Sequence, residues 1–380
     1  MRQYVFLNND FLCIFDNMSK RILIIGSTGK LGSKLLKFTH KNSISIDCIT
    51  CFTNKKKILN QKDIYKIKYH FTLSNQKDYF SFLEYLKKKI DIIYFLDYGS
   101  KSLKYLSHFL DFNSNSIIAV ANKELIIAGG SILQKKIKNT KNKFISLDSE
   151  HFSLINSNIK SSYVDKIYIT ASGGPFYFKK KIELSLVDKK NVLSHPKWKM
   201  GKNNLIDSSN FMNKILEIYE LSHIYDIPLS KIDFLVCKEA YIHSVVLYSD
   251  GTLSINAFDN DMIITLIKPL SYYYKINQPR YNNNFLNLNN LRLEKPKDKR
   301  FKVLNYKKKL MNLNHSEQIR LMIINNNAHN LYLSNKLQYN KILDYIMNEL
   351  FENKDNYKLS SIKNILKYIM RMNNYYKTNV

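Results

Sequence analysis

The first third of the chain alternates between short apolar runs and amphipathic segments. Four apolar runs predict buried strands, at Ile22–Ile25, Ile44–Phe52, Ile90–Leu96 and Ile117–Val120. Two segments space their apolar residues as a helix does, Leu31–Phe38 and Tyr79–Lys89. Strands that alternate with helices favour an α/β fold with a doubly wound parallel sheet. We therefore predict a Rossmann-like domain over residues 18–148.

The rest of the chain has a mixed pattern and then a helical one. Within residues 149–270, strands are predicted at Lys166–Thr170, His243–Leu247 and Thr252–Ala257, and a helix at Asn210–Leu221. This mixture predicts a central α+β domain. Residues 271–300 are rich in Asn, Lys, Tyr and Arg with little periodicity, so we interpret them as a connector. Residues 312–380 show helical patterns without glycine, and 301–380 is predicted to be a small C-terminal all-α domain.

Composition narrows the classes of function. The 380 residues include 59 Lys or Arg and 31 Asp or Glu, which gives a net charge of +28. Lys, Asn, Ile and Tyr are abundant while Gly is scarce, as A+T-rich coding in a reduced bacterial genome would produce. We attribute most of the charge to such drift, with nucleic-acid binding as the alternative. The chain contains no run of 18 or more apolar residues, so the sequence predicts no membrane span.

The N-terminus and the cysteines bear on localisation. Residues 1–17 lack the apolar core and cleavage site of a signal peptide. We interpret them as an extension, either a misassigned start ahead of Met18 or a remnant of a targeting segment. The four cysteines form no CxxC or Cys/His metal pattern, which favours a reducing cytoplasm.

Three glycines follow the first predicted strand and open the first helix, at Gly26, Gly29 and Gly32. Glycine permits a tight turn there and lets the backbone approach a pyrophosphate, which the free N–H groups of the helix N-terminus then bind. The spacing predicts a dinucleotide site, with a ligand-free turn as the alternative. Asp47 is predicted inside the second strand and not at its end, where NAD would require an acid. Lys55 lies at that end and favours the 2′-phosphate of NADPH, unless it belongs to a solvated lysine run.

Two acidic residues follow the apolar segment that ends at Leu147. Asp148 and Glu150 are two positions apart, so an extended segment would direct both carboxylates to the same side. Mg²⁺ and Mn²⁺ prefer such oxygen ligands, and two exposed acids in a loop are the alternative. Residues 207–217 begin with good N-cap residues, so a phosphate could bind near a helix start there. Glu217, at the end of this stretch, could supply a third carboxylate.

Two further segments have the composition of loops that carry chemistry. Ser172 precedes a Gly-Gly-Pro turn that could expose its hydroxyl and nearby N–H groups. Residues 195–201 hold His195, Met200 and Trp198, the only tryptophan of the chain. These residue types suit a flexible lid that closes over a substrate and excludes water, with a packed surface turn as the alternative.

Taken together, these segments resemble the 1-deoxy-D-xylulose 5-phosphate reductoisomerase family, NADPH- and metal-dependent enzymes of the non-mevalonate pathway of isoprenoid synthesis. The matching stretches, in the family's order, are GSTGKLG (26–32), ANKE (121–124), LDSEHF (147–152), TASGGPF (170–176), HPKWKMG (195–201), DSSNFMNKILE (207–217) and IHSVVLYSDGT (242–252). The resemblance covers residues 18–270 well and the last hundred loosely. The chain departs from the family's pattern at Asn203, Ile215, Ile263 and residues 326–329.

The resemblance implies a role for each matching position. The implied metal ligands are Asp148, Glu150 and Glu217. The implied catalytic residues are Lys123, Asp148, Glu150, Glu217 and His195. The implied substrate ligands are Lys123, Ser149, Glu150, Ser172, His195, Ser208, Asn213, Lys214 and Glu217. The predicted cofactor contacts are Ser27, Thr28, Gly29, Leu31, Asn122, Glu124 and Gly201, together with Asn54 and Lys55 at the end of the second strand.

The resemblance also implies an activity and its setting. The expected reaction converts 1-deoxy-D-xylulose 5-phosphate to 2-C-methyl-D-erythritol 4-phosphate by carbon–carbon rearrangement and reduction with NADPH. The expected cation is Mn²⁺ or Mg²⁺, with Co²⁺ as a further alternative. A cytoplasmic homodimer is expected, with a small phosphorylated substrate as its partner and neither nucleic acid nor a membrane. The rival hypotheses are an NADP-dependent dehydrogenase of another phosphorylated substrate, and a degenerate or nucleic-acid-binding protein.

Overall fold

A six-stranded parallel sheet forms the N-terminal part of the protein. The structure is a computed structural model that describes residues 20–179, 182–195, 200–276, 291–352 and 357–378. The strands are β1 (Ile22–Ile25), β2 (Cys48–Cys51), β3 (Tyr69–Thr72), β4 (Ile92–Phe95), β5 (Ile117–Val120) and β6 (Lys143–Ser146). Their order in the sheet is β3-β2-β1-β4-β5-β6, so the predicted doubly wound parallel sheet is confirmed.

Helices cover both faces of this sheet. They are α1 (Lys30–Lys41), α2 (Lys55–Ile64), α3 (Gln76–Tyr85), α4 (Ser102–Phe112) and α5 (Lys123–Lys138). Alternate residues of β1 enter different cores: Ile24 packs in one cluster with Leu36 of α1, and Leu23 in the other with Phe109 of α4. Because successive strand residues face opposite sides, a strand buried on both faces appears as the continuous apolar run seen in the sequence.

A second sheet follows and has mixed strand directions. Its strands are β7 (Val164–Ala171), β8 (Ile232–Val236), β9 (Ile242–Tyr248) and β10 (Leu253–Ala257), in the order β10-β9-β7-β8. Strands β7 and β8 are parallel, whereas β9 is antiparallel to both β7 and β10. The helices of this region are α6 (Ser149–Phe152), α7 (Lys189–Val192), α8 (Lys202–Asn210), α9 (Met212–Tyr225) and α10 (Ile263–Ile267). The α+β prediction for this region is confirmed.

The C-terminal region is helical where the structure describes it. It contains α11 (Lys302–Leu310), α12 (His315–Leu333), α13 (Ile342–Glu352) and α14 (Ile362–Thr378). Helix α12 contacts α5 and α8, so this region packs against both parts of the protein that precede it. The connector prediction falls partly on residues 277–290, outside the described residues, as does the extension 1–17. None of the described helices is long and apolar enough to cross a membrane.

Some predicted element bounds are wrong. The second strand covers only Cys48–Cys51, so Asp47 precedes it and does not lie inside it. The carboxylate of Asp47 accepts a hydrogen bond from the hydroxyl of Tyr85, whose helix α3 ends there instead of continuing to Lys89. The predicted helix Asn210–Leu221 is also wrong, because Phe211 adopts a left-handed conformation (φ 70°) that separates α8 from α9.

Candidate active site

Asp148 and Glu150 meet at the start of a short helix. The sequence predicted an extended segment, but Asp148 is the N-cap of α6, and its carboxylate accepts a hydrogen bond from the Glu150 backbone N–H at 3.3 Å. An N-cap carboxylate satisfies a free N–H of the first turn. The two acidic side chains are therefore brought together by a helix cap. The prediction had instead relied on the alternation of side chains along an extended segment.

Glu217 reaches the same place from α9, which is far away in the sequence. The break at Phe211 turns the chain between α8 and α9, and Ser208 consequently lies in the last turn of α8. The expectation of a capped helix start at residues 207–209 is wrong. Helix α9 instead starts at Met212 and buries Asn213, Lys214 and Glu217 at the cavity.

The carboxylates of Asp148, Glu150 and Glu217 form a cluster that we call the carboxylate cluster. Each residue offers an oxygen that lies within 4.8 Å of those of the other two. Hard divalent cations such as Mg²⁺ and Mn²⁺ take carboxylate oxygens as ligands. The donor set and its convergence fit a divalent cation.

Two lysines hold the carboxylate cluster together. Lys214 Nζ lies 2.6 Å from Glu150 Oε1 and 2.5 Å from Glu217 Oε2, and Lys123 Nζ lies 3.1 Å from Glu217 Oε1 and 3.5 Å from Asp148 Oδ2. Burial alone would lower the pKa of both lysines, but the surrounding carboxylates raise it above its usual value. Both ammonium groups therefore stay charged, and they balance two of the three negative charges.

Ser172 and His195 form another pair of contacting polar side chains at the site. The Ser172 hydroxyl lies 3.0 Å from His195 Nε2. Burial, and after it the charge of Lys214, lowers the pKa of His195 to about 4, so the imidazole is neutral near pH 7. After Ser172, the chain turns through Gly174 at φ 58°, where an added Cβ would lie 2.6 Å from the Ser208 carbonyl oxygen. Glycine at this position lets Ser172 approach the end of α8.

The glycine-rich loop lies where β1 and β4 end side by side. Gly26 has φ 84°, and a Cβ there would lie 2.6 Å from the backbone nitrogen of Asp97. A Cβ on Gly32 would lie 2.5 Å from the Cα of Ser27, so the helix could not approach the loop as closely. The strand order reverses between β1 and β4, and ligands of open α/β sheets bind at such a point.

One cavity of about 610 Å³ joins the loop to the carboxylate cluster. Most of the predicted site residues line it: Thr28, Gly29, Leu31, Lys123, Glu124, Asp148, Ser149, Glu150, Ser172, His195, Gly201, Ser208, Asn213, Lys214 and Glu217. Four predicted cofactor contacts lie outside the lining, Ser27, Asn54, Lys55 and Asn122. The structure therefore brings the predicted substrate and metal residues together, and part of the cofactor set beside them.

The four residues outside the lining have other contacts. The buried Ser27 hydroxyl donates to Gln61 Oε1 at 2.8 Å, and Asn54 caps α2, in which Lys55 is the first residue. Asn122 caps α5 and donates to Asp97 Oδ1 at 3.2 Å. Asn122 thus shapes the cavity wall through Asp97.

Sequence reasoning missed several lining residues, among them Lys30, Asp97 and Tyr98. Burial raises the pKa of Asp97 to about 6 despite the hydrogen bonds from Ser102 and Asn122. Its position directly after β4, at the reversal of strand order, is the signal that could have identified it. Lys30 Nζ donates to the Met200 carbonyl oxygen at 2.6 Å and so connects the loop to the predicted lid. Trp198 of that lid lies outside the described residues.

Family models match two parts of the chain. The description "1-deoxy-D-xylulose 5-phosphate reductoisomerase C-terminal domain" matches residues 144–225, and "DXP reductoisomerase C-terminal domain" matches residues 259–374. The first match contains the whole carboxylate cluster. Together the two matches cover more than half of the chain.

Relatives of known name and solved structures agree with these matches. The chain is 31% identical over 347 residues to 1-deoxy-D-xylulose 5-phosphate reductoisomerase of Pelagibacter ubique, covering 85% of this chain and 89% of the relative. It is 29% identical over 355 residues to the enzyme of that name from Clostridium kluyveri, covering 87% and 91%.

Two solved structures share the fold. A DOX-P reductoisomerase in complex with NADPH, fosmidomycin and magnesium superposes with a TM-score of 0.81 at 22% identity, covering 94% of this chain and 98% of the other. The 1-deoxy-D-xylulose 5-phosphate reductoisomerase of Zymomonas mobilis in complex with NADPH superposes with a TM-score of 0.80 at 21% identity, covering 95% of this chain and 99% of the other. The sequence matches extend along most of the chain and include the carboxylate cluster, and the chain belongs to the 1-deoxy-D-xylulose 5-phosphate reductoisomerase family.

Proposed function

We propose that this protein converts 1-deoxy-D-xylulose 5-phosphate to 2-C-methyl-D-erythritol 4-phosphate, with NADPH as reductant and a divalent cation. The observation that carries the proposal is the convergence of the neighbouring Asp148 and Glu150 with the distant Glu217, whose oxygens lie within 4.8 Å of one another in the cavity that the glycine-rich loop also lines. Asp148, Glu150 and Glu217 would hold the cation, and residues 26–32 would receive the dinucleotide. When bound, the cation acts as a Lewis acid on substrate oxygens and NADPH supplies hydride.

Lys214 also has a role in binding the substrate in this proposal. In the described structure, Lys214 is bound to Glu150 and Glu217. A divalent cation bound to the same carboxylates would compensate their charge and free the ammonium group. Lys214, Asn213, Ser208 and Ser172 line the cavity and would then bind the substrate phosphate. That remote binding energy would favour closure of the lid over the reacting atoms.

Other residues orient the reacting end of the substrate. Lys123 Nζ donates to Asn213 Oδ1 at 2.7 Å, which fixes the ammonium group beside the carboxylate cluster. The Ser149 hydroxyl donates to Glu150 Oε2 and faces the cavity, where it could bind a substrate hydroxyl. His195, neutral near pH 7, can accept a hydrogen bond from Ser172 or from substrate without adding charge.

We also propose the choice of cation, the homodimer, the location in the cell and the domain division that the sequence suggested. Mn²⁺ should serve as well as Mg²⁺, since both take oxygen ligands. The edge strand β10 exposes Leu253 and Ile255, each more than half accessible, and supports a homodimer formed at this edge. Cys48, Cys51 and Cys237 are free buried thiols, which supports residence in the cytoplasm. The divisions at residues 18–148, 149–270, 271–300 and 301–380 are proposed as domains and connector.

The direct test is oxidation of NADPH on 1-deoxy-D-xylulose 5-phosphate with and without Mn²⁺, with identification of the product. Only a reductoisomerase forms a branched polyol phosphate, whereas a simple dehydrogenase would reduce its substrate without rearrangement. Asp148→Asn and Glu217→Gln should abolish turnover while NADPH binding, followed by fluorescence, stays near wild type. The exposed Asp165→Asn on β7 is the control. Near-normal turnover of either site variant with Mn²⁺ would refute the metal assignment.

A further inference from the structure

Two buried side chains lie directly behind the carboxylate cluster and have no assigned role. His151 of α6 and Glu220 of α9 both have 0% relative exposure. His151 Nε2 lies 2.9 Å from the Glu217 backbone carbonyl oxygen, and since a carbonyl only accepts, this nitrogen donates. The other ring nitrogen, Nδ1, lies 3.4 Å from Glu220 Oε2 and 3.6 Å from Asp148 Oδ1. One imidazole thus connects three acidic residues of the site.

Glu220 has few contacts for a buried carboxyl group. Among the described residues, neither of its oxygens has a hydrogen-bond partner, and its close polar neighbour is the ring of His151. Burying a carboxyl group with so little compensation is costly, and such groups in native proteins usually have a specific role. Glu220 is three residues after Glu217, so both lie on the same side of α9, with Glu217 at the cavity and Glu220 behind it.

The two oxygens of Asp148 face different surroundings. Oδ1 accepts from the Glu150 backbone N–H and faces His151 Nδ1, whereas Oδ2 faces Lys123 inside the cluster. The ring of His151 therefore lies between the Asp148 and Glu220 carboxyl groups, with Nδ1 within 3.6 Å of an oxygen of each, although Nδ1 has no hydrogen-bond partner among the described residues. The hydrogen bond to the Glu217 carbonyl connects the same ring to the helix that carries the third carboxylate.

We propose that Glu220 is a positioning residue for metal binding, which acts through His151 to hold Asp148, and with it the backbone at Glu217, in the geometry that receives a divalent cation. Groups that orient metal ligands in this way typically change metal affinity by about 10- to 100-fold when they are mutated. The inference rests on the proposed function only in taking Asp148 and Glu217 as metal ligands. It requires neither the substrate nor the rearrangement.

The competing interpretation is a second cation site. Asp148, His151 and Glu220 also offer ligand atoms within 4.8 Å of one another. In that case Asp148 would bridge two cations. The complete burial of His151 and Glu220 favours the positioning role, because a cation there would lose nearly all contact with water. The number of bound ions distinguishes the two interpretations.

The test measures Mn²⁺ binding to the nucleotide-free protein by the EPR signal of free Mn²⁺, at one fixed pH. Wild type should bind one ion per chain, and Glu220→Gln should bind it about 10- to 100-fold more weakly. NADPH affinity should stay within twofold of wild type in all variants. The control is Glu352→Gln, an exposed glutamate at the end of α13. Glu220→Asp keeps the carboxyl group on a shorter side chain, and its Mn²⁺ affinity should fall between those of wild type and Glu220→Gln, so it also serves if the amide variant fails to fold.

A double-mutant cycle tests the route of the effect. If Glu220 acts through His151, adding Glu220→Gln to His151→Gln should weaken Mn²⁺ binding no further than His151→Gln alone. Additive losses would overturn the proposal, as would Mn²⁺ affinity within twofold of wild type in Glu220→Gln. Parallel loss of Mn²⁺ and NADPH binding would indicate a structural role and would also overturn it, and two ions per wild-type chain would replace it with the second site. A wild type that binds one Mn²⁺ but forms no branched product would refute the proposed function alone.

Discussion

Replacement of Lys214 with methionine tests whether its ammonium group takes the place of the cation in the metal-free protein. The methionine side chain has a similar length and no charge, so the change removes the ion pairs with Glu150 and Glu217 while it largely preserves volume. Glu217 is only 2% exposed and Glu150 is 13% exposed, so water would compensate their lost partner poorly. Lys123 still contacts Glu217 in the variant.

The stability that Lys214→Met is expected to lose is large without a cation and smaller with one. Removing one partner of a buried ion pair typically costs about 3–5 kcal/mol. With the usual unfolding entropy per residue, this corresponds to roughly 4–6 °C in Tm for a chain of this length. In the variant, the cation no longer competes with an ammonium group for the carboxylates, so it should bind more tightly. Cation at 100 times its Kd stabilises a protein by about 2.7 kcal/mol, and a tighter Kd increases this gain.

The assay is thermal unfolding of wild type and Lys214→Met, each with EDTA and with a series of MgCl₂ concentrations. Lys135→Met, at an exposed position of α5, removes the same charge without affecting the cluster and is the control. The Mg²⁺-dependent rise in Tm should be larger in Lys214→Met than in wild type or the control. Equal Tm values in EDTA, or equal shifts with Mg²⁺, would refute the idea that Lys214 substitutes for the cation.

Three further predictions concern the loop, pH and the lid. Gly26→Ala should lower stability by about 1–3 kcal/mol and weaken NADPH binding, because its Cβ would meet the Asp97 backbone. Gly201→Ala, with open space around the added Cβ, is the control in melting, and the exposed Asp165→Asn is the control in NADPH titration. Burial and the nearby His315 lower the pKa of His223 to about 4. Between pH 7 and pH 5, His223 therefore takes up a proton in the unfolded chain but not in the folded one, and the free energy of unfolding should fall by roughly 2 kcal/mol. Urea unfolding of His223→Leu should show a smaller loss. Trp198, the only tryptophan, should change its fluorescence when a phosphonate analogue of the substrate binds; an unchanged spectrum would count against closure of the lid.

Local patterns predicted four of the six strands of the N-terminal sheet, β1, β2, β4 and β5, and two of its helices, α1 and α3. The apolar runs of β1 and β5 are buried on both faces, which makes them recognisable without knowledge of their neighbours. The glycine positions were equally informative, since the close approaches at Gly26 and Gly32 exclude a side chain. Predictions failed where tertiary contacts change local structure. The left-handed Phe211 and the helical cap at Asp148 are examples, because neither has a distinctive sequence signature.

The sequence by itself determined the sheet of alternating strands and helices, the glycine-rich loop after β1 and, through its motifs, the identity of the acidic residues at the site. These features follow from local rules: the period of side chains along a strand, and the steric freedom of glycine. Only the tertiary structure decided that Lys123 and Lys214 hold the carboxylate cluster, that Asp97 borders the glycine-rich loop, and that Glu220 lies behind His151. Such proximities join residues far apart in the sequence, and they depend on the order of strands in the sheets and on the turn between α8 and α9. No local pattern encodes these distances, because each results from the packing of the whole chain.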